Sequence, residues 1–312
     1  MSRRLGLALL AGLLSATGNV EARGQVAVPG GSPTIDPAVK AQPAMWKVQG
    51  AHGTLYLFGS VHVLKPNVHW ETEKVADAFH QSGTVYFEIA DIGADAQKAM
   101  MPMIKQLGLD PEHPLSTKIS KEDVTRLDTT LKGMGAVGEA GFEPMQPWLV
   151  YLTLSLLPAV KAGYDPASGV DVILQKEAAT QGKTVKGFET AEQQMHYLAD
   201  FSQKQQVELL HEALDELPTS VDKLNETVAD WERGDVEKIT ALEEGELKTK
   251  HPDLYQKLLV DRNEKISQTL AGLLKDPATG TVFVTVGAAH LAGPDSILAK
   301  LRNQGFSATR EE

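Results

Sequence analysis

Two motifs in the chain each place a histidine three residues after a glycine, at the end of a run of residues typical of a β-strand. His62 ends the motif GSVH after the run 54–58, and His290 ends the motif GAAH after the run 281–286. Open α/β sheets bind ligands at the carboxyl ends of their strands, and a pair of imidazoles there suits Zn, Mn, Co or Fe. One such histidine alone is more often a hydrogen-bonded structural residue. The pair indicates a metal site, provided that the two ends of the chain share one sheet.

A third candidate is a carboxylate within an otherwise apolar strand-like run, 84–90 (TVYFEIA). Strand alternation places Glu88 on the face opposite Phe87 and Ile89. Two interpretations follow from this position. Glu88 is either a solvent-facing side chain on a half-exposed strand, or a carboxylate beside the His62 strand that acts as a metal ligand or general base.

Five further residues are weaker candidates, and each has an ordinary structural explanation. Asp171 lies at a predicted helix start, where an aspartate is expected to act as a cap or dipole partner. Glu189 ends a predicted strand just before Thr190 and is equally expected to be a capping group. Arg262 and Asn263 lie in a charged mid-helix segment, DRNEK, whose side chains are expected to face solvent. Ser60 lacks the second glycine of a nucleophile elbow, so its surroundings do not mark it as a nucleophile. Ser60, Asp171 and Glu189 stay secondary candidates.

The composition excludes several classes of function. The 312-residue chain contains no cysteine, which excludes disulfide scaffolds, thiol nucleophiles, zinc–thiolate sites and iron–sulfur clusters. Its 30 basic and 41 acidic residues give a net charge of −11, which argues against a nucleic-acid partner. The sequence contains no phosphate-binding loop, dinucleotide fingerprint, nucleophile elbow or HExxH zinc motif.

The N-terminus has the pattern of a secretory signal peptide. Arg3 and Arg4 precede an apolar run at 5–14, and small residues suit cleavage after Ala22. Such a run is too short to cross ~30 Å of hydrocarbon as a helix. We therefore expect a cleaved signal peptide, a flexible lead-in at 23–44, no transmembrane anchor after cleavage, and a periplasmic or secreted protein.

Strand-like runs at both ends of the chain enclose a long helical middle. Strands are predicted at 45–48, 54–58, 84–90, 184–188, 281–286 and 306–309. Helical periodicity dominates about 95–275, and the apolar stretch 147–160 is predicted to be a buried core helix. The sequence predicts an α/β (α+β) fold with a single domain over 45–312. Its central sheet is built from the N- and C-terminal segments, and its helical middle is an insert.

These motifs stand in the order found in the TraB/GumN family, which the chain resembles over roughly residues 45–310. The matching segments are MWKV at 45–48, YLFGSVH at 56–62, VYFE at 85–88, GYDP at 163–166, GVD at 169–171, GFET at 187–190, DRN at 261–263, VGAAHL at 286–291 and GPD at 293–295. The family includes the Tiki membrane-bound metalloproteases and is related to the fold group of the haem-binding ChaN and erythromycin esterase proteins.

The resemblance implies a metal-dependent hydrolase, above all a peptidase, that acts on a peptide or protein substrate with a divalent metal such as Mn, Co or Zn. It makes His62 and His290 metal ligands, and Glu88 a ligand or the base that activates water. It places Arg262 and Asn263 in the site as catalytic residues.

One position departs from the family pattern, and two other functions stay open. Many relatives carry a tryptophan where this chain has Ile266, which changes the packing beside the DRN segment. The first alternative is a non-catalytic periplasmic protein that binds haem, a metal or a peptide, as the relationship to ChaN allows. The second is an accessory protein for envelope polymers that uses the helical middle as a contact surface.

Overall fold

A six-stranded mixed sheet forms the centre of the computed structural model, which describes residues 41–135 and 138–311. The strands are β1 Met45–Gln49, β2 Thr54–Ser60, β3 Thr84–Ile89, β4 Thr184–Glu189, β5 Thr281–Gly287 and β6 Ala308–Glu311. They lie in the order β4-β3-β5-β2-β1-β6. The first four of these are parallel, and β1 pairs with β2 and β6 in antiparallel fashion. The α/β fold predicted from the sequence is confirmed, and strands from both ends of the chain lie side by side.

The boundaries of the strands shift by a few residues, and the helical middle contributes one strand. The run predicted to end at Phe58 continues to Ser60, and the last strand begins at Ala308 rather than at residue 306. β4 comes from within the helical insert and lies at the edge of the sheet beside β3, where much of it is exposed. The sheet is therefore wider than the N- and C-terminal segments alone would make it.

Helices fill most of the chain between β3 and β5, as the sequence predicts. The helices are α1 Glu73–His80, α2 Ala94–Gly108, α3 Leu115–Lys118, α4 Lys121–Gly133, α5 Pro147–Lys161, α6 Val170–Thr180, α7 Ala191–Ala199, α8 Gln203–Glu216, α9 Ser220–Glu232, α10 Val236–Lys250, α11 Pro252–Tyr255, α12 Asp261–Lys275 and α13 Ile297–Asn303. A π-helical turn, Gln256–Val260, joins α11 to α12. No described helix combines the length and the apolar character that a bilayer crossing requires.

The apolar helix α5 is buried, as predicted. It begins with Pro147, whose missing amide donor costs nothing in the first turn of a helix. α5 packs against α8 and α9, and nine of its residues are buried. A helix that is covered on several sides carries apolar residues all round rather than on one face, which explains its composition.

The predicted signal peptide at 1–22, and residues 23–40 of the predicted lead-in, lie outside the described residues. The last residues of the lead-in contact the folded chain. Ala41 and Ala44 are buried, and the Gln42 amide donates to the carbonyl oxygen of Glu232 at 2.6 Å.

Trp231 of α9 ties the helical insert to the end of β2. Its side chain is fully buried, and its Nε1 atom donates to the carbonyl oxygen of Gly59 at 2.7 Å. The Trp70 ring packs edge-on against Trp231 and stacks on Phe58 of β2. The helical insert therefore supports the backbone from which the first Gly-x-x-His turn starts.

Trp231→Phe is expected to lower the free energy of unfolding by about 1–3 kcal/mol, because it removes a buried hydrogen bond from the Gly59 carbonyl group. Urea denaturation measures the change. Trp148→Phe is the matched control, since it removes the same ring atoms and a longer bond, from Nε1 to the Leu107 carbonyl oxygen at 3.2 Å, within the helical region. A Trp231→Phe protein as stable as the wild type would contradict the role given to this bond.

Candidate active site

The two Gly-x-x-His motifs meet at the carboxyl ends of β2 and β5. These strands are parallel neighbours, and Ser60 pairs with Gly287 at their last positions. β3 lies on the other side of β5 and carries Glu88. A strand from near the end of the chain thus lies between two strands from near its start. This order creates the kind of crevice in which open α/β sheets bind ligands.

Gly287 lies between the three residues predicted to hold a metal. A Cβ atom at Gly287 would lie 3.4 Å from Glu88 Oε1, 3.7 Å from His62 Nε2 and 3.6 Å from His290 Cδ2. His290 Nε2 lies 3.7 Å from Glu88 Oε1. The side chains are almost fully buried, with exposed fractions of 7% for His62, 6% for Glu88 and 1% for His290. Three polar side chains therefore border one small space that a residue larger than glycine would fill.

His62 is held through its Nδ1 atom by Asp171. His62 Nδ1 donates to Asp171 Oδ2 at 2.9 Å, and Ser60 Oγ donates to Asp171 Oδ1 at 3.2 Å. Burial opposes a charge on the ring, but the Asp171 carboxylate and the nearby Glu88 together outweigh burial and raise the pKa of His62 to about 9. The capping role expected for Asp171 is wrong, because Gly169 is the N-cap of α6 and the Asp171 side chain binds His62 and Ser60.

His290 is held through its Nδ1 atom by an amide. Asn263 Nδ2 donates to the Asp295 carbonyl oxygen at 2.9 Å, which turns Asn263 Oδ1 towards His290 Nδ1, 2.5 Å away. This arrangement places the ring proton on Nδ1. Burial and the positive charge of Arg262 lower the pKa of His290 to about 3, so the ring is neutral. Its Nε2 atom is buried and has no hydrogen-bond partner among the described residues.

Glu88 is a buried carboxylate, and both of its oxygens accept hydrogen bonds. Oε1 accepts from the Gly287 amide at 2.8 Å, and Oε2 accepts from Arg262 Nη2 at 2.6 Å and from Gln194 Nε2 at 3.3 Å. Burial alone would raise the pKa of Glu88, but Arg262 and then the two histidines outweigh burial and hold this pKa well below its ordinary value. The interpretation of Glu88 as a solvent-facing side chain is wrong.

Arg262 bridges Glu88 and Glu189. Its Nη2 atom contacts both carboxylates, and its Nε atom donates to Glu189 Oε1 at 3.0 Å. Its Nη1 atom donates to the Leu258 carbonyl oxygen at 3.1 Å, inside the π-helical turn that precedes α12. Burial disfavours the charge, but the two carboxylates outweigh burial and raise the pKa of Arg262 above its ordinary value. The solvent-facing position expected for Arg262 and Asn263 is wrong, since both are buried in α12.

Glu189 ends β4 and does not cap the helix that follows, because Thr190 is the N-cap of α7. The Glu189 carboxylate instead accepts hydrogen bonds from Tyr197 Oη at 2.8 Å and from Gln194 Nε2 at 2.9 Å. No motif in the sequence marks Gln194 or Tyr197 as a site residue. Their signal is their spacing, since residues four and seven positions after a helix cap share one face of the helix.

Gly169 sets the distance between α6 and the His62 turn. A Cβ atom at Gly169 would lie 2.1 Å from the His62 carbonyl oxygen, and the Val170 amide donates to the Val61 carbonyl oxygen at 3.1 Å. Only a residue without a side chain allows two backbone segments to approach this closely. The close approach brings Asp171 to His62.

The described residues contain no ready-made metal-binding group of three His, Asp or Glu side chains. Around Gly287, the Nδ1 atoms of both histidines and both oxygens of Glu88 already have partners within the protein. The three side chains share the space beside Gly287.

Comparison with known proteins identifies a family and several relatives of this chain. The TraB/PrgY/gumN family model matches residues 44–310. The chain is 25% identical to "Metalloprotease TIKI2" of Xenopus tropicalis over 312 aligned positions, which cover 84% of this chain and 58% of that protein. It is 25% identical to "Metalloprotease TIKI1" of Danio rerio, with 89% and 65% covered, and 27% identical to "Metalloprotease TIKI2" of Danio rerio, with 80% and 57% covered. The chain spans less than two thirds of the length of each of these relatives. No solved structure matches the chain.

Gly169→Ala is expected to lower the free energy of unfolding by about 1–3 kcal/mol, because the new methyl group overlaps the His62 carbonyl oxygen and forces the two segments apart. Chemical denaturation measures the change. Gly272→Ala is the matched control. A Cβ there meets nothing within 4 Å, and Gly272 lies inside α12, so alanine is expected to stabilise the protein by up to about 1 kcal/mol. If both variants were equally stable, the close approach would not matter.

Proposed function

The chain belongs to the TraB/PrgY/gumN family, and we propose that it is a metal-dependent hydrolase that cleaves peptides or proteins. The observation that carries this proposal is the position of His62, Glu88 and His290 around the space beside Gly287. The names of the metalloprotease relatives support the reaction class and the substrate class. Export to the periplasm or the medium, based on the pattern of residues 1–22, is part of the same proposal.

The residues around Gly287 suit a divalent metal such as Mn, Co or Zn. His290 Nε2 is buried without a partner among the described residues, and such an atom needs an explanation that a bound ion would supply. Imidazole nitrogens and a carboxylate oxygen are donors that these metals accept. Metal-binding histidines commonly donate their other ring N–H to an oxygen atom, as His62 and His290 do here.

We assign the metal to three donor atoms, His62 Nε2, His290 Nε2 and Glu88 Oε1. Each of these side chains has an atom within 4 Å of the position that a Cβ atom of residue 287 would occupy. So small a space suits a single ion rather than a haem. A metal bound there would lower the pKa of a water molecule and polarise the substrate carbonyl group.

The surrounding residues prepare the donor atoms. Glu88 suits a ligand better than a general base, because its pKa lies well below its ordinary value and a base works best with a pKa near the working pH. Arg262 neutralises Glu88 and holds Oε2, so that Oε1 lies towards Gly287. Asn263 holds Nδ1 of His290 and keeps Nε2 available. In this proposal Arg262 and Asn263 position ligands and do not contact the substrate.

Loss of either histidine is expected to abolish metal binding. The purified protein is loaded with Mn, Co or Zn in turn, and elemental mass spectrometry measures the bound metal. The wild type is expected to retain metal, whereas His62→Ala and His290→Ala are expected to lose it. His80→Ala is the control, since this exposed histidine pairs with Glu177 on the surface.

The same samples test the reaction. A peptide library incubated with the metal-loaded wild type is expected to yield cleavage products in mass spectrometry, and the two site variants are expected to yield none. Full metal content in both variants would refute the ligand assignment. A metal-loaded wild type that cleaves no peptide would refute the proposed peptide hydrolysis.

Gly287→Ala is expected to fold normally and to lose the metal. The added methyl group lies at ordinary contact distances from its neighbours, and the backbone angles of Gly287, φ −51° and ψ 138°, are open to alanine. The methyl group fills the space that the three donor atoms share. Thermal denaturation checks the fold, and elemental mass spectrometry checks the metal. A folded Gly287→Ala protein with full metal content would place the metal elsewhere in the chain.

A further inference from the structure

Ser60, His62 and Asp171 are the residue types of a serine hydrolase triad, but they are connected in a different order. In such a triad, the histidine Nε2 takes the serine proton while the aspartate holds Nδ1. Here Ser60 Oγ donates to Asp171 Oδ1 at 3.2 Å, and His62 Nδ1 donates to Asp171 Oδ2 at 2.9 Å. The aspartate therefore lies between the serine and the histidine. The Ser60 hydroxyl group is hydrogen-bonded to Asp171 and not to His62 Nε2. The Nε2 atom borders the space beside Gly287 instead.

We infer that Asp171 is the residue that positions His62 for ligand binding, and that Ser60 holds Asp171 and is not a nucleophile. The assignment of Nε2 as a metal ligand rests on the proposed function. The positioning of the ring by Asp171 is a separate claim and has its own readout.

The backbone fixes Asp171 relative to His62 independently of the side chains. The Asp165 amide donates to the Leu64 carbonyl oxygen at 2.8 Å, and the Val170 amide donates to the Val61 carbonyl oxygen at 3.1 Å. The segment 165–170, which leads into α6, is therefore hydrogen-bonded to both ends of the turn 61–64 that carries His62. The backbone next to Asp171 cannot move away from His62 without breaking these bonds.

The chemistry of the contact suits this role. Asp171 is nearly buried, with a side-chain exposed fraction of 10%, and each of its oxygens accepts one hydrogen bond. A hydrogen bond to a carboxylate is shorter and stronger than one between neutral groups, so it fixes the direction of the ring firmly. Oxygen partners of this kind orient metal-binding histidines and increase their basicity, and losing one typically weakens metal binding by about 10–100-fold.

The first test is metal affinity, measured by calorimetry with Mn, Co or Zn. Asp171→Ala is expected to bind metal about 10–100-fold more weakly than the wild type. Asp171→Asn keeps an acceptor for His62 Nδ1, so its metal affinity is expected to fall less than that of Asp171→Ala. The metal affinity of Ser60→Ala is expected to fall least. Asp123→Ala is the matched control, because Asp123 is also buried and binds an imidazole, that of His211, at 2.8 Å.

The second test uses the metal-free protein with ¹⁵N-labelled histidine. NMR is expected to show the Nδ1 proton of His62 as a slowly exchanging, downfield resonance in the wild type and in Asp123→Ala. The same resonance is expected to disappear in Asp171→Ala and to persist, shifted, in Asp171→Asn. The Asn variant keeps the test informative if Asp171→Ala fails to fold.

The outcomes separate the inference from the proposed function. Equal metal affinity in the wild type and Asp171→Ala overturns the inference and leaves the metal site intact. A wild type that binds none of the three metals overturns the proposed function, and the NMR experiment then decides alone whether Asp171 positions His62. Reaction of Ser60 with a fluorophosphonate probe, absent in Ser60→Ala, overturns the role given to Ser60.

Discussion

The rest of the site depends on the buried guanidinium group of Arg262. A charge in a protein interior is strongly unfavourable without partners, so Arg262 can be buried only because Glu88 and Glu189 face it. The carboxylates come from the neighbouring strands β3 and β4, and Arg262 comes from α12, near the end of the helical insert. One ion-pair cluster therefore joins the sheet to the insert. It also fixes Glu88 in the orientation in which its other oxygen meets the Gly287 amide.

The shared space beside Gly287 depends on the order of the strands. β5 follows the whole insert in the chain yet enters the sheet between β2 and β3. This placement brings Glu88, His62 and His290 to the same space beside Gly287. The insert then reaches the ends of both histidine-bearing strands. Trp231 bonds to the end of β2, and Asn263 bonds to the histidine that follows β5. The helical middle is thus part of the site, because it supplies the groups that fix the backbone and the rings.

The strands that carry the site can be predicted because their signals are local. Apolar runs that end in Gly-x-x-His mark β2 and β5, and alternation within β3 singles out Glu88. The same local signals wrongly predict that Arg262 and Asn263 face solvent, because DRNEK has the composition of a solvated helix face. Their burial depends on partners far away in the sequence. Asp171 is mistaken for a cap because its place at a helix start is local, whereas its contact with His62 is not.

The buried charges of the site bear on the divalent ion that we propose for it. The site contains three buried or nearly buried carboxylates. Glu88 and Glu189 pair with Arg262, and Asp171 pairs with His62. Among the described residues in this cluster, Arg262 supplies the permanent positive charge, which leaves two negative charges to compensate. Part of the compensation comes from a proton on His62, whose pKa is raised to about 9 because Asp171 and Glu88 outweigh its burial. In the proposed metal site, a divalent ion beside Gly287 would replace this proton and supply both positive charges. Both imidazoles would then be neutral, the state in which their Nε2 atoms bind metals.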